Sequence, residues 1–187
     1  VADTLYTNQT PATDDLDFIT HFFGLEFTSS ADRDCAGGRA WVPAAGRPPT
    51  FFWQLWQRTP DWALLAETDL NDAAHGTPTS NTWMSFTSAL FISPGNVSLT
   101  ASTSYVEGVF CDDGHFVYTS PATTFPIGTG VLSATTGRFR NGGTRTDPPT
   151  NTSSDYFFAD ITVEAAASAR PTILLPNPAA VVRAGSW

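Results

Sequence analysis

Lysine is absent from the 187 residues, so arginine alone supplies the nine fixed cations, set against 18 acidic residues and a net charge of −9. A chain this acidic cannot neutralise a run of phosphates and release their counterions, which excludes nucleic acid as a partner. Long apolar runs are also missing. Nothing approaches the roughly 20 residues of a membrane-spanning helix, so no membrane insertion is expected. Val1 opens onto polar sequence without a basic stretch or an apolar leader segment. A removed signal peptide and one never carried both fit that opening.

Cysteine is nearly absent. Cys35 and Cys111 allow one disulfide, and a bonded pair and two partly buried thiols stand equally open. Enzyme signatures are lacking as well: no Gly-x-Ser-x-Gly elbow, no phosphate-cradling glycine loop and no His-Glu-x-x-His helix. His21, His75 and His115 are far apart in sequence, so neither a metal nor another cofactor is expected. The carboxylates fall mostly in turns (Asp14-Asp15, Asp32, Asp34, Asp112-Asp113), where bonding to their own backbone is favoured over a Ca²⁺ site.

What the chain has is Thr, Ser, 14 Gly, 14 Pro and 14 Phe, a composition of strands and turns. Apolar side chains recur at period two in Phe23-Leu25-Phe27, Phe51-Trp53-Leu55 and Tyr105 to Cys111. Residues 50–57 carry large apolar groups on both parities, so this strand is either covered on both faces or exposes a sticky one. Asp112-Asp113-Gly114 predicts a hairpin returning through His115 to Tyr118. The glycine-containing stretch 29–39 reads as a loop, and 136–150 is rich in glycine and proline. Eight or nine short strands with turns between them predict an all-β fold: an antiparallel two-sheet β-sandwich of jelly-roll type. Residues 1–15 form an N-terminal arm able to pair at a sheet edge, 16–164 the sandwich, and 165–187 a Pro/Ala-rich C-terminal extension.

Six tryptophans exceed ordinary usage. Those on alternating strand positions, Trp53 and Trp83, are expected in the core. Trp62, after Pro60-Asp61 in a turn, is the better candidate for stacking on a sugar face. His115 and Asp113 at the hairpin tip are candidate ligand residues beside it, with turn structure as the simpler role. Leu5 and Tyr6 in the arm, and Ile173, Leu174, Leu175 and Trp187 in the tail, are candidate assembly contacts, since short apolar segments can add to a neighbour's sheet edge. They suggest a homo-oligomer.

Several segments resemble, in order, a bacterial domain of unknown function, family 4082. The correspondence runs through Leu55-Trp56, Leu64-Leu65-Ala66, Thr82-Trp83 with Met84 and Phe86, Thr103-Ser104-Tyr105-Val106, Gly114-His115-Phe116 and Phe157-Phe158-Ala159-Asp160-Ile161. It spans residues 17–163. The chain departs from the pattern at Phe116, at the two aromatics before Asp160, and in a longer segment between Phe27 and Thr50. The resemblance implies a carbohydrate-binding type of sandwich, with similar domains in minor tail proteins of phages that infect actinobacteria. The expected function is therefore a non-enzymatic accessory protein of a phage virion, on tail or capsid, contacting other virion proteins and host-surface glycans. The alternative is a carbohydrate-binding module of a secreted bacterial protein. Glycan cleavage through Asp112, Asp113 and Glu107 is the third reading, since two carboxylates are its minimum.

Overall fold

The computed structural model describes residues 2–7, 9–92, 97–112, 114–120 and 125–166. Asp113 and the tail residues Ile173, Leu174, Leu175 and Trp187 lie outside them. Among the described residues, fourteen strands run in chain order: β1 Asp3–Thr4, β2 Thr13–Leu16, β3 His21–Ser29, β4 Arg33–Val42, β5 Phe51–Gln57, β6 Ala63–Asp69, β7 Thr82–Thr87, β8 Val97–Leu99, β9 Ser104–Cys111, β10 His115–Thr119, β11 Leu132–Asn141, β12 Asn151–Ser153, β13 Tyr156–Phe157 and β14 Ala159–Ala165. The count exceeds the eight or nine expected because several strands have only two to four residues.

The fold is an all-β sandwich. A six-stranded antiparallel sheet, β12-β11-β3-β9-β5-β6, packs on a five-stranded one, β1-β14-β4-β7, in which β8 also pairs with β4. A third sheet, β13-β10-β2, stands beside them. Period-two alternation sends Leu25, Phe27, Trp53, Leu55 and Tyr105 of the large sheet inward. There they meet Ala40, Val42, Met84, Phe86, Ile161 and Val163 of the smaller sheet in one buried cluster. Trp53, fully buried, stacks on Phe91 at 5.6 Å and meets Phe86 edge-on at 5.1 Å.

The doubly apolar β5 is covered on both sides. Phe22, Trp56, Val106 and Phe110 form a second buried cluster on the outer face of the large sheet. The segment after β11 lies over that face. Gln54 donates to the Arg145 carbonyl at 2.9 Å, and the Arg145 guanidinium sits 4.4 Å from the Phe52 ring.

Three expectations are corrected. The predicted hairpin of β9 and β10 does not form. β9 is flanked by β3 and β5, so β10 pairs with β2 and β13 in the third sheet. The loop expected at 29–39 is largely the ten-residue β4, and the glycine- and proline-rich 136–150 begins inside strand β11. In β4, glycine marks a close approach and not a turn. A Cβ on Gly38 would lie 2.9 Å from the Phe86 ring and 3.2 Å from Trp53. Finally, the arm pairs at a sheet edge through β1 and β14, but Leu5 and Tyr6 are not exposed for assembly: both side chains are buried in the chain's own core, at 1% and 0% exposure.

Cys35 and Cys111 are both buried and not bonded to each other, one on β4 and one on β9 in different sheets, so the candidate disulfide is absent. Burial pushes the Cys35 thiol up to about 12, which removes its nucleophilic form. A thiol reagent is expected to leave both cysteines untouched in the native protein and to titrate both after unfolding. Fast labelling of Cys35 without denaturant would contradict this packing.

Candidate functional site

A cleft of about 370 Å³ opens where the third sheet meets the large one. Its walls follow from register. In the β11–β3 pairing, Phe139 stands opposite Phe23 and Asn141 opposite His21, so all four share one face. From β10 come Phe116 and Tyr118, and from β13 comes Phe157, which pairs with Tyr118. Asp17, Ser120, Ser153 and Asp155 complete the lining. The aromatic wall is continuous. Phe23 lies 4.4 Å from Phe116 and 4.8 Å from Phe157, and Phe116 stacks on Tyr118 at 5.5 Å.

His21, only 2% exposed, is the fixed point of the polar side. Its Nε2 meets Asp17 Oδ1 and Oδ2 at 2.8 and 2.7 Å, and its Nδ1 meets the Asn141 side-chain amide at 3.0 Å. With both ring nitrogens engaged, the imidazole has none left to exchange a proton with a ligand. It orients Asp17 and Asn141. Across the cleft, Asp155 accepts the Ser153 hydroxyl at 2.7 Å.

Asp17 is set by a tight turn. Its Oδ1 accepts the Ile19 amide at 3.2 Å, and its own amide donates to the Gly114 carbonyl at 3.4 Å. Gly114 has φ +74°, and any Cβ there would run into the Asp17 carboxylate and come within 2.6 Å of the Phe18 amide. Phe18 is itself held at φ +62° and is 77% exposed beside the cleft residue Asp17. A bulky residue tolerates that conformation only where the surrounding contacts impose it.

Of the residues expected to bind ligand, Trp62 and His115 do not line this cleft. Trp62 is half-buried against the outer-face cluster of Phe22, Trp56, Val106 and Phe110, on the opposite side of the large sheet from His21 and Phe23. His115 is half-buried and shares the parity of Val117, a core residue, while Phe116 and Tyr118 face the cleft. Asp113 is outside the described residues. The cleft residues themselves are dispersed from position 17 to 157. The one sequence signal that could have gathered them is the shared parity of 21 with 23 and of 139 with 141.

A second concentration of charge is sealed inside the sandwich. Asp160 on β14 accepts the amides of Leu5 and Tyr6 at 2.7 and 3.3 Å and the Arg39 Nε at 2.9 Å. Burial pushes its carboxyl up to about 6, with Arg39 and those amides opposing. Glu107 on β9 is fully buried. Desolvation, and then the charge of Asp160, hold its carboxyl well above the ordinary range, with the Trp53 indole N–H opposing. Neither that N–H nor either Glu107 oxygen completes a hydrogen bond of ordinary geometry. Enclosed in this way, Glu107 has no route to a bound sugar. Asp112, the other described carboxylate weighed for cleavage, accepts the Thr50 hydroxyl at 2.5 Å.

No helix among the described residues is long and apolar enough to cross a membrane. No group of three or more His, Cys, Asp or Glu residues among them could hold a metal ion. No family model and no curated protein matches this chain.

Proposed function

We propose that this chain is a non-enzymatic binding module that holds a saccharide in the cleft between β3, β10, β11 and β13. We place it as an accessory protein of a phage particle that presents the cleft to host-surface glycans. The observation that carries the saccharide reading is the pairing of a continuous aromatic wall with a fixed fork of carboxylate and amide. Sugar rings offer apolar C–H faces that lie against aromatic rings, and hydroxyls that need acceptors and donors at set positions. Phe116, Tyr118 and Phe157 supply the first, and Asp17, Asn141 and Ser120 the second. His21, with both nitrogens occupied, suits positioning better than proton transfer. The particle setting rests on the ordered resemblance of the sequence segments. A secreted carbohydrate-binding module would use the same cleft, and the search for this chain's peptides in purified particles separates the two.

The binding test is a broad glycan panel followed by titration calorimetry on the best ligand. Tyr118→Ala is expected to weaken binding roughly tenfold, the equivalent of one lost stacking contact. Trp62→Ala is expected to leave affinity unchanged while lowering stability, since its ring packs on the outer-face cluster. The opposite pattern, with binding lost at Trp62 and kept at Tyr118, would move the site to the other side of the sheet.

A further inference from the structure

Resting on the saccharide reading, we infer that the cleft selects its sugar by charge: it favours a sugar bearing a protonated amine over its neutral counterpart and rejects uronates. The inference begins with an absence. A lysine-free chain can meet an anionic ligand with a fixed charge only through arginine, and each described arginine is engaged elsewhere.

Arg39 pairs with Asp160, and Arg58 and Arg138 both pair with Glu26. Arg145 lies beside Glu67 and over Phe52, and Arg33 is 3.9 Å from Asp3. Arg47 donates to the Leu70 carbonyl, and Arg140 to the carbonyls of Gly142 and Thr144. None of the seven lines the cleft. The remaining two, Arg170 and Arg183, lie outside the described residues. The lining instead carries two carboxylates, Asp17 and Asp155.

The two acids are not equivalent. The Asp17 carboxylate faces His21 through both oxygens, whereas the Asp155 carboxylate accepts only the neutral Ser153 hydroxyl among the described residues. Asp155 is therefore the group whose charge a ligand meets least compensated. A uronate there gains no counter-charge and adds a repulsion. An ammonium gains a charge-assisted hydrogen bond, the stronger kind.

The experiment compares β-1,4-linked oligomers of glucosamine, glucose and glucuronate, which differ only in the charge-bearing substituents, at pH 6 and low salt. The glucosamine oligomer is expected to bind roughly two- to fivefold more tightly than the glucose oligomer, the range of a partly exposed ion pair. Added salt should shrink that ratio, and the glucuronate oligomer should give no measurable binding. Asp155→Asn should bring the amine-to-neutral ratio to about one while keeping the neutral oligomer bound. Asp61→Asn, which removes the same charge from an exposed turn, should leave the ratio intact and so separates the cleft from the acidity of the whole chain.

Equal binding of the amine and neutral oligomers, or binding of the uronate, overturns the charge selection and leaves the saccharide reading standing. A ratio that survives in Asp155→Asn overturns the assignment to Asp155. If none of the three binds while the broad panel yields another neutral or acidic sugar, the amine preference falls alone. If the panel too is empty, the saccharide reading falls with it.

Discussion

Replacing Arg39 with methionine is expected to lower the unfolding free energy by about 3–5 kcal/mol, the usual cost of leaving one half of a buried ion pair uncompensated. Asp160 has a side chain only 1% exposed and depends on Arg39 for its counter-charge. The same guanidinium donates to the Tyr6 carbonyl at 2.6 Å and lies 4.3 Å from the Trp83 ring. One side chain thus ties the N-terminal segment to β4 and β14. Tyr6 adds a hydrogen bond to the Phe157 carbonyl at 2.8 Å and a stacked contact with Phe158 at 5.1 Å. Urea denaturation at pH 7 checks the magnitude. Adding Asp160→Asn to Arg39→Met should recover a large part of the loss, because the orphaned charge is then gone. A single variant within 1 kcal/mol of the parent, or a double variant weaker than Arg39→Met alone, would show that the pair does not hold the segment in place.

Glu107→Gln is expected to stabilise the protein, increasingly so as pH rises. A carboxyl whose folded pKa lies above its unfolded value binds its proton more tightly in the native state. Its contribution is therefore fully present below the unfolded pKa and is lost as pH rises toward the folded one. For Glu107 the loss runs at up to about 1.4 kcal/mol per pH unit, starting from the ordinary carboxyl range near pH 4–5. Asp160 follows the same sign, and its loss is complete above about pH 6. Asp147, which is held below its ordinary range by Thr144, pulls the other way only at the acid end. The parent should accordingly be more stable at pH 5 than at pH 7.5, with Glu107→Gln matching it at pH 5 and exceeding it at pH 7.5. Glutamine keeps the shape of the protonated acid and cannot ionise in the unfolded chain. Parallel stability–pH curves for the two proteins would rule out a strongly raised Glu107.

Period-two patterning made β3, β5 and β9 legible, since a strand with one inward face must alternate. The doubly apolar 50–57 left open burial on both sides or one exposed apolar face, and the outer-face cluster decided for burial. Glycine misled in β4 because its two meanings, a turn residue and a gap for a neighbour's ring, are indistinguishable until Trp53 and Phe86 are seen against Gly38. The Asp112–Gly114 signal failed as a hairpin because pairing depends on which edges are free, and both edges of β9 were taken.

The candidate site divides the same way. Composition alone determined that the chain is built of strands, that it is acidic, and that any cation it offers must be arginine. Tertiary structure decided where those arginines are engaged and which aromatics face a ligand. Trp62 was singled out by its turn, yet its ring lies on the outer-face cluster, while Tyr118 and Phe157 gained their place only when β10 paired with β13. Alternation reports that a side chain has a face. Only strand pairing determines what lies against that face, because partners distant in sequence are brought together by the sheet.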